Sequence, residues 1–328
     1  VLSVLLILAV ASAAAAPLSN IYFVGDSLSD AGNVSAISGG TFPPPPYFSG
    51  RVSSGPVWAE RFASSQGKAP DGQAAGANLG PLFGNQILPG IPGGRNYAIG
   101  GARNGLGGLL DAFGVPSGIN WQIGHYLMQA GGVADPNALY VLFGGSQDIR
   151  ESYALAEADR PAALGMAAGA LGIGIQTLAA AGAQQFLVLN APNLGLTPES
   201  RFALNNAAAA TAASVVYNTA LDGILDALEL TGLHIRRFDT FQFVNAVFAD
   251  AQLGGLTYGI TNVDRPCLPG IPGYAGDDCS VSLFADAVHP SGEAHRLLSA
   301  AVGVPEPSSL LLTAAGLAAA ICLRRRAV

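Results

Sequence analysis

Two short segments at opposite ends of the 328-residue chain carry residue types suited to acyl transfer. Near the start, "IYFVGDSLSDAGN" runs four apolar residues into Gly25-Asp26-Ser27. A buried strand ending at Val24 would leave Ser27 on a tight turn, its hydroxyl presented beside backbone N–H groups. Near the end, "FADAVHPSGEAHR" supplies His289 and His295. Pro290 pushes the backbone of His289 away from helix, and Ser291 is placed to cap a helix with Glu293 in its first turn. His289 is thus expected on a loop, free to reach across, while His295 is expected on a solvated helix face. Asp286 lies three residues before His289, a spacing that lets a carboxylate hold the imidazole tautomer while the other ring nitrogen takes a serine proton. Asp277 and Asp278 are farther alternatives for that role. The other histidines, His125 and His234, lie in apolar patterns and are expected to pack.

Elements must bring these ends together. Short β-rich runs Ile21–Val24, Asn96–Ile99, Leu139–Phe143, Phe186–Leu189 and His234–Phe238 read as strands. They are separated by helical segments Val57–Ser64, Ile119–Ala130, Arg160–Ala181, Glu199–Leu230, Phe241–Leu253 and Glu293–Ala301. Gly182 and Gly232 fall just past two of these helices, where a left-handed cap is needed. Non-alternating apolar strands separated by helices predict an α/β fold with a mainly parallel sheet covered on both faces. Two Gly/Pro-rich stretches, 39–56 and 67–95, are expected as loops near the carboxyl edge of the sheet, where ligands bind in open α/β sheets. Apolar loops at 79–92 and 105–119 could line an acyl pocket.

Half the residues are apolar, 11% are charged and the net charge is −7. Such a chain can build a large core, and it offers no basic patch for nucleic acid. Part of the apolar excess is terminal. Residues 1–16, "VLSVLLILAVASAAAA", read as a secretory signal lacking its basic start, with cleavage favoured after Ala13 or Ala15 because Pro17 follows Ala16. Residues 304–328 begin Val-Pro-Glu-Pro, continue as an uncharged run from Ser308 to Leu323 and end in Arg324–Arg326. As a helix that run spans roughly 24 Å, short for a full crossing. Cys267 and Cys279 bracket "CLPGIPGYAGDDC" and are expected to form a disulfide in an oxidising compartment. No Cys-x-x-Cys or paired histidine accompanies them to suggest zinc. "GGARNGLGG" lacks the Gly-x-Gly-x-x-Gly spacing of a dinucleotide-binding turn.

The first and last blocks together resemble the GDSL esterase/lipase family, also called SGNH hydrolases, in its secreted phospholipase/esterase branch. "GRVSSGPVWAERFA" (50–63), "NYAIGGAR" (96–103), "VLFGGSQDI" (141–149) and "LVLNAPNLGLTP" (187–198) follow in the family's order, so the resemblance covers 17–303. It implies a three-layer α/β/α, flavodoxin-like fold and an exported serine esterase working without metal or cofactor. Ser27 would be the nucleophile, His289 the base and Asp286 its orienting acid. The implied oxyanion hole comprises the Ser27 N–H, the Gly100 N–H (with Gly101 as fallback) and an amide at position 147. There this chain departs: the family has Gly-x-Asn-Asp, and "GGSQD" places Gln147 at the asparagine position. A surface or matrix binding protein that keeps the fold without turnover is the competing expectation, resting on that glutamine. Asp26 and Asp30 are expected to stabilise the turn and helix start, Asn33 and Asp148 to serve as hydrogen-bonding scaffold, and Arg51 to contact substrate or lie exposed. The implied substrate is a lipid ester or an acylated polysaccharide.

The tail is similar to the PEP-CTERM sorting signal of Gram-negative bacteria. That resemblance implies export, transient membrane retention and removal of the tail by an exosortase-type enzyme, leaving the protein in the periplasm, at the outer surface or in extracellular matrix.

Overall fold

A computed structural model describes residues 18–269 and 275–303. The signal-like segment before residue 18 and the tail from 304 lie outside them. The strands are β1 (Ile21–Gly25), β2 (Gly76–Asn78), β3 (Ile87–Pro89), β4 (Leu139–Phe143), β5 (Gln185–Leu189) and β6 (His234–Phe238). The helices are α1 (Asn33–Ile37), α2 (Trp58–Ser65), α3 (Ile119–Gln129), α4 (Ser146–Ser152), α5 (Arg160–Ala180), α6 (Ala207–Glu229), α7 (Thr240–Gln252) and α8 (Gly292–Gly303). The main sheet has order β1-β4-β5-β6 and is parallel throughout, with Ile21 opposite Leu139, Leu139 opposite Gln185 and Gln185 opposite His234. A small antiparallel pair, β2-β3, lies apart from it.

Alternation along each strand sends side chains to two cores. On one face Val24, Tyr140, Leu142, Phe186 and Val188 pack with α3, α5 and α6. On the other, Phe23, Val141, Phe143 and Leu187 pack with Trp58 and Phe62 of α2 and Leu298 and Val302 of α8. The expected three-layer α/β/α arrangement is therefore present. Trp58 meets Phe23 and Phe143 edge-on at 6.0 Å between centroids, contacts worth about 0.5–1.5 kcal/mol each beyond burial. Its indole N–H donates to Ser29 Oγ at 3.1 Å, tying α2 to the turn that follows β1. A third, smaller cluster joins α7 and α8 to the segment carrying Ile260, Val263, Leu283 and Phe284.

Gly182 and Gly232 end their helices at positive φ, as expected. Three other expectations are corrected. The segment Asn96–Ile99 runs beside β1, with the Tyr97 N–H donating to Phe23 O and the Ile99 N–H to Gly25 O, but forms only an isolated bridge. On its outer side it pairs with backbone only around Asn96, whose N–H donates to Gln73 O and whose carbonyl accepts the Ala75 N–H. Asn33 Nδ2 also donates to Asn96 O and Ala98 O at 2.7 and 2.8 Å, so a side chain takes over where that pairing ends. The helix expected over Glu199–Leu230 is split: a π-helical turn spans Glu199–Ala203, Asn205 sits at φ 50°, and α6 begins only at Ala207. His234 opens the edge strand β6 and is exposed rather than packed.

Candidate active site

β1 delivers the chain to Gly25, whose N–H donates to Gln122 Oε1 at 2.9 Å and whose carbonyl accepts from Gln122 Nε2 at 2.8 Å. A Cβ on Gly25 would lie 2.5 Å from Phe143 O, so only glycine fits between the strands here. The turn beyond is built by two buried carboxylates. Asp26 Oδ1 accepts the Leu28 N–H, and Asp26 O accepts the N–H groups of Ser29 and Asp30. Asp30 accepts four backbone N–H groups, from Gly32, Asn33, Val34 and Gly100. It thereby fixes the start of α1 and locks the Gly100 loop to the serine turn. Asn96 Nδ2 donates to Ser29 O at 2.7 Å, and Asn33 Oδ1 accepts the Gly76 N–H. The scaffold roles expected of Asp26, Asp30 and Asn33 are seen directly. Burial pushes both aspartates up to about 6, held from rising further by these N–H donors and, for Asp26, by the nearby His289.

At the other end Ser291 Oγ accepts the Ala294 N–H and caps α8 as expected. Ser53 Oγ donates to Pro290 O and the Gly292 N–H donates to Ser54 Oγ, fastening this loop to the 50s segment. The disulfide Cys267–Cys279 closes the preceding loop, whose Cys267 and Leu268 N–H groups pair with Phe284 O and Ala285 O just ahead of Asp286.

These two loops meet. His289 Nε2 lies 2.9 Å from Ser27 Oγ and His289 Nδ1 lies 2.8 Å from Asp286 Oδ2. Asp286 Oδ1 accepts the N–H groups of Val288 and His289. Asp277 and Asp278, the alternatives to Asp286, are exposed. Tyr47, which sequence reasoning missed, donates its hydroxyl to Asp286 Oδ2 at 2.7 Å. Burial would raise the Asp286 carboxyl, but His289, its backbone N–H and the Tyr47 hydroxyl hold it well below the usual carboxylate range. An ionised Asp286 keeps the Nδ1 proton on its own side of the ring, which leaves Nε2 as an acceptor for the serine proton.

The N–H groups around Ser27 alter one expectation. Gly100 N–H is committed to Asp30 Oδ2 at 2.8 Å and is not available to an oxyanion. Gly101, at φ 77°, has no hydrogen bond on its N–H among the described residues, and neither has Ser27. Gln147 lies at the same junction, with Nε2 donating to Glu151 Oε1 at 2.9 Å and one amide hydrogen left over. Asp148 is the expected scaffold: it accepts the Asn104 N–H at 3.1 Å, and burial pushes it up to about 6.

Two more expectations are corrected. His295 is buried, not solvated, because its face of α8 packs on α2; Nδ1 accepts the Trp58 N–H at 3.2 Å and burial lowers it to about 3. Arg51 neither reaches the site nor lies exposed, since it forms a bidentate, largely buried pair with Glu60. His125 packs as expected, edge-on against Tyr97, and burial lowers it to about 4.

Two hollows flank Ser27 and His289. One is an apolar cleft of about 620 Å³ lined by Ile37, Phe42, Leu79, Phe83, Leu110 and Phe113 among others, so the 79–92 and 105–119 loops do border it. The other is a cavity of about 60 Å³ toward Phe243, Phe284 and Leu298. Ser27, Gly101, Gln147, Arg150 and His289 border both. Among the described residues no group of three or more His, Cys, Asp or Glu converges as a metal site would.

Comparison with known proteins follows the same outline. The profile of the GDSL-like lipase/acylhydrolase family matches residues 21–302, and that of the PEP-CTERM protein-sorting motif matches residues 303–326. An uncharacterized Pseudomonas putida protein from the trpE-trpG intergenic region is 27% identical over 314 residues, taking in 88% of this chain and 48% of its own length. The thermolabile hemolysin of Vibrio parahaemolyticus is 24% identical over 304 residues, covering 86% of this chain and 62% of the hemolysin. The chain thus spans 48% and 62% of the length of these two relatives. Among solved structures, a carbohydrate acetylesterase from Sinorhizobium meliloti aligns with 87% of this chain and 96% of its own, at 15% identity and a TM-score of 0.43. A member of the lipolytic G-D-S-L family from Veillonella parvula aligns at 14% identity and a TM-score of 0.41, over 86% and 94%.

Proposed function

The chain belongs to the GDSL-like lipase/acylhydrolase family, and from that premise we propose that it is an exported serine esterase acting on esters with an apolar acyl group. The observation that carries this reading is the 2.9 Å contact between Ser27 Oγ and His289 Nε2. Ser27 Oγ attacks the ester carbonyl while His289 Nε2 takes its proton. The C–O bond to the alcohol then breaks and His289 returns the proton to the departing oxygen. Water repeats the sequence on the acyl-enzyme, releasing the acid and restoring Ser27. The N–H groups of Ser27 and Gly101, both without other partners among the described residues, serve the oxyanion, and the Gln147 amide is the third donor. The C-terminal PEP-CTERM motif implies export and exosortase sorting; on this reading the tail holds the protein transiently at the inner membrane before release toward the outer surface.

The 620 Å³ cleft favours acyl chains well beyond acetyl. Each methylene buried there is worth about 0.8 kcal/mol, or roughly fourfold in kcat/KM. Turnover of p-nitrophenyl esters from acetate to decanoate is therefore expected to climb with chain length and to vanish in Ser27→Ala. A profile peaking at acetate assigns the cleft to the alcohol part, as in an acylated polysaccharide. Folded protein without turnover at any length supports the second reading, a binding protein, which rests on Gln147 standing where the family has asparagine.

A further inference from the structure

We propose that Glu151 is a positioning residue, holding the Gln147 amide where it serves the oxyanion and so making glutamine workable in place of the family's asparagine. The inference rests on the esterase reading above. Glutamine has one more torsion than asparagine, so a free amide at this position would wander, and a displacement of about 1 Å in a catalytic group can cost roughly 10²-fold.

The structure restrains that extra torsion. Gln147 and Glu151 stand one turn apart on α4, the spacing at which helical side chains meet. Gln147 is nearly buried and donates Nε2 to Glu151 Oε1 at 2.9 Å. Glu151 is itself held: its Oε2 accepts from Arg103 Nη1 at 3.2 Å. Arg103 lies two residues beyond Gly101, so the same ion pair ties the Gly101 loop to α4. At the other end of the amide, Gln147 Oε1 has a long 3.5 Å contact from Arg150 Nη1, and Arg150 is fixed by Glu199 at 2.6 and 2.9 Å. One amide hydrogen and the carbonyl are thus anchored, and the remaining hydrogen belongs to a side chain bordering both hollows beside Ser27. A donor aimed before the reaction costs no reorganisation during it.

The test is steady-state kinetics on one p-nitrophenyl ester for the parent, Glu151→Ala, Glu151→Gln, Gln147→Asn and the double variant Gln147→Asn/Glu151→Ala. Glu151→Ala is expected to lower kcat about tenfold with KM unchanged, the mark of an interaction made only in the transition state. Glu151→Gln keeps an acceptor oxygen for Gln147 and is expected to stay within about twofold of the parent. An asparagine at 147 stops short of Glu151, so in that background Glu151→Ala is expected to change kcat less than about twofold. Melting curves matching the parent exclude a folding effect, and a parent-like kcat in Glu151→Gln ties the loss in Glu151→Ala to the missing acceptor. Parent-like kcat in Glu151→Ala, or the same loss in both backgrounds, overturns the proposal. A parent whose turnover survives Ser27→Ala fails the esterase reading instead.

Discussion

Asp286 accepts two hydrogen bonds on each carboxylate oxygen, and the Tyr47 hydroxyl is the one donor among the four that comes from outside its own loop. Replacing the carboxylate by an amide would aim an NH₂ at Nδ1 and turn the imidazole toward the wrong tautomer. Asp286→Asn is therefore expected to lower kcat by roughly 10³–10⁴ while the fold persists, read as turnover alongside a melting curve. Tyr47→Phe removes one donor and leaves the charge, so its loss in kcat should be far smaller. The two variants separate orientation of the ring from its second support. Little in the sequence announced Tyr47: it follows a run of four prolines and meets Asp286 across 239 residues. His295 was legible and was misread. Ala294, His295, Leu298, Ser299 and Val302 form one buried stripe at helical spacing, which places the imidazole inward.

At the scale of elements, the tip of β1 is gripped from both sides. Gln122 of α3 holds both peptide groups of Gly25, and Phe143 of β4 leaves no room for a side chain. Gly25→Ala must open the β1-β4 ladder at its end, at a cost of about 1–3 kcal/mol. Because Ser27 lies two residues on, kcat is expected to fall by about tenfold or more; melting temperature and turnover measured together check both. Three strands of the main sheet, β1, β4 and β5, were legible because parallel strands buried on both faces read as continuous apolar runs. The segment at Asn96 reads the same way, yet beyond isolated bridges to Phe23 and Ala74 it is held by the Asn33 side chain, a contact no local pattern reveals. α4 was not read as an element at all, so the i,i+4 pair of Gln147 and Glu151 was out of sight. The engagement of Gly100 was out of sight for a related reason: four N–H groups from two separate segments converge on Asp30, and only the folded chain shows that the Gly100 N–H is one of them.

For the molecule as a whole, buried ionisable groups set the response to acid. His295, lowered to about 3, and His125, lowered to about 4, stay neutral in the fold while their unfolded counterparts take protons below about 6.5. The stability they contribute is present above that pH and lost as pH falls. Asp26 and Asp30, raised to about 6, act in the opposite sense: their contribution is present at low pH and lost as pH rises through 6. The parent curve is a sum of these, so the sign is cleanest as a difference. His295→Asn keeps an acceptor near the Trp58 N–H but cannot protonate. Its stability deficit relative to the parent is expected to narrow by about 2 kcal/mol between pH 7 and pH 5, measured as urea midpoints. An unchanged gap would mean that His295 titrates normally.

Ser27 and His289, bonded in the fold, stand 262 positions apart along the polypeptide. A ribosome finishes the hydroxyl long before it reaches the imidazole, and an export channel taking the amino end first passes them in that order too. On the proposed reading, every nascent or prematurely terminated product lacking the last segment is an unarmed hydrolase. The producing cell's own acyl esters are then met only by harmless fragments until the whole chain has crossed and closed on itself.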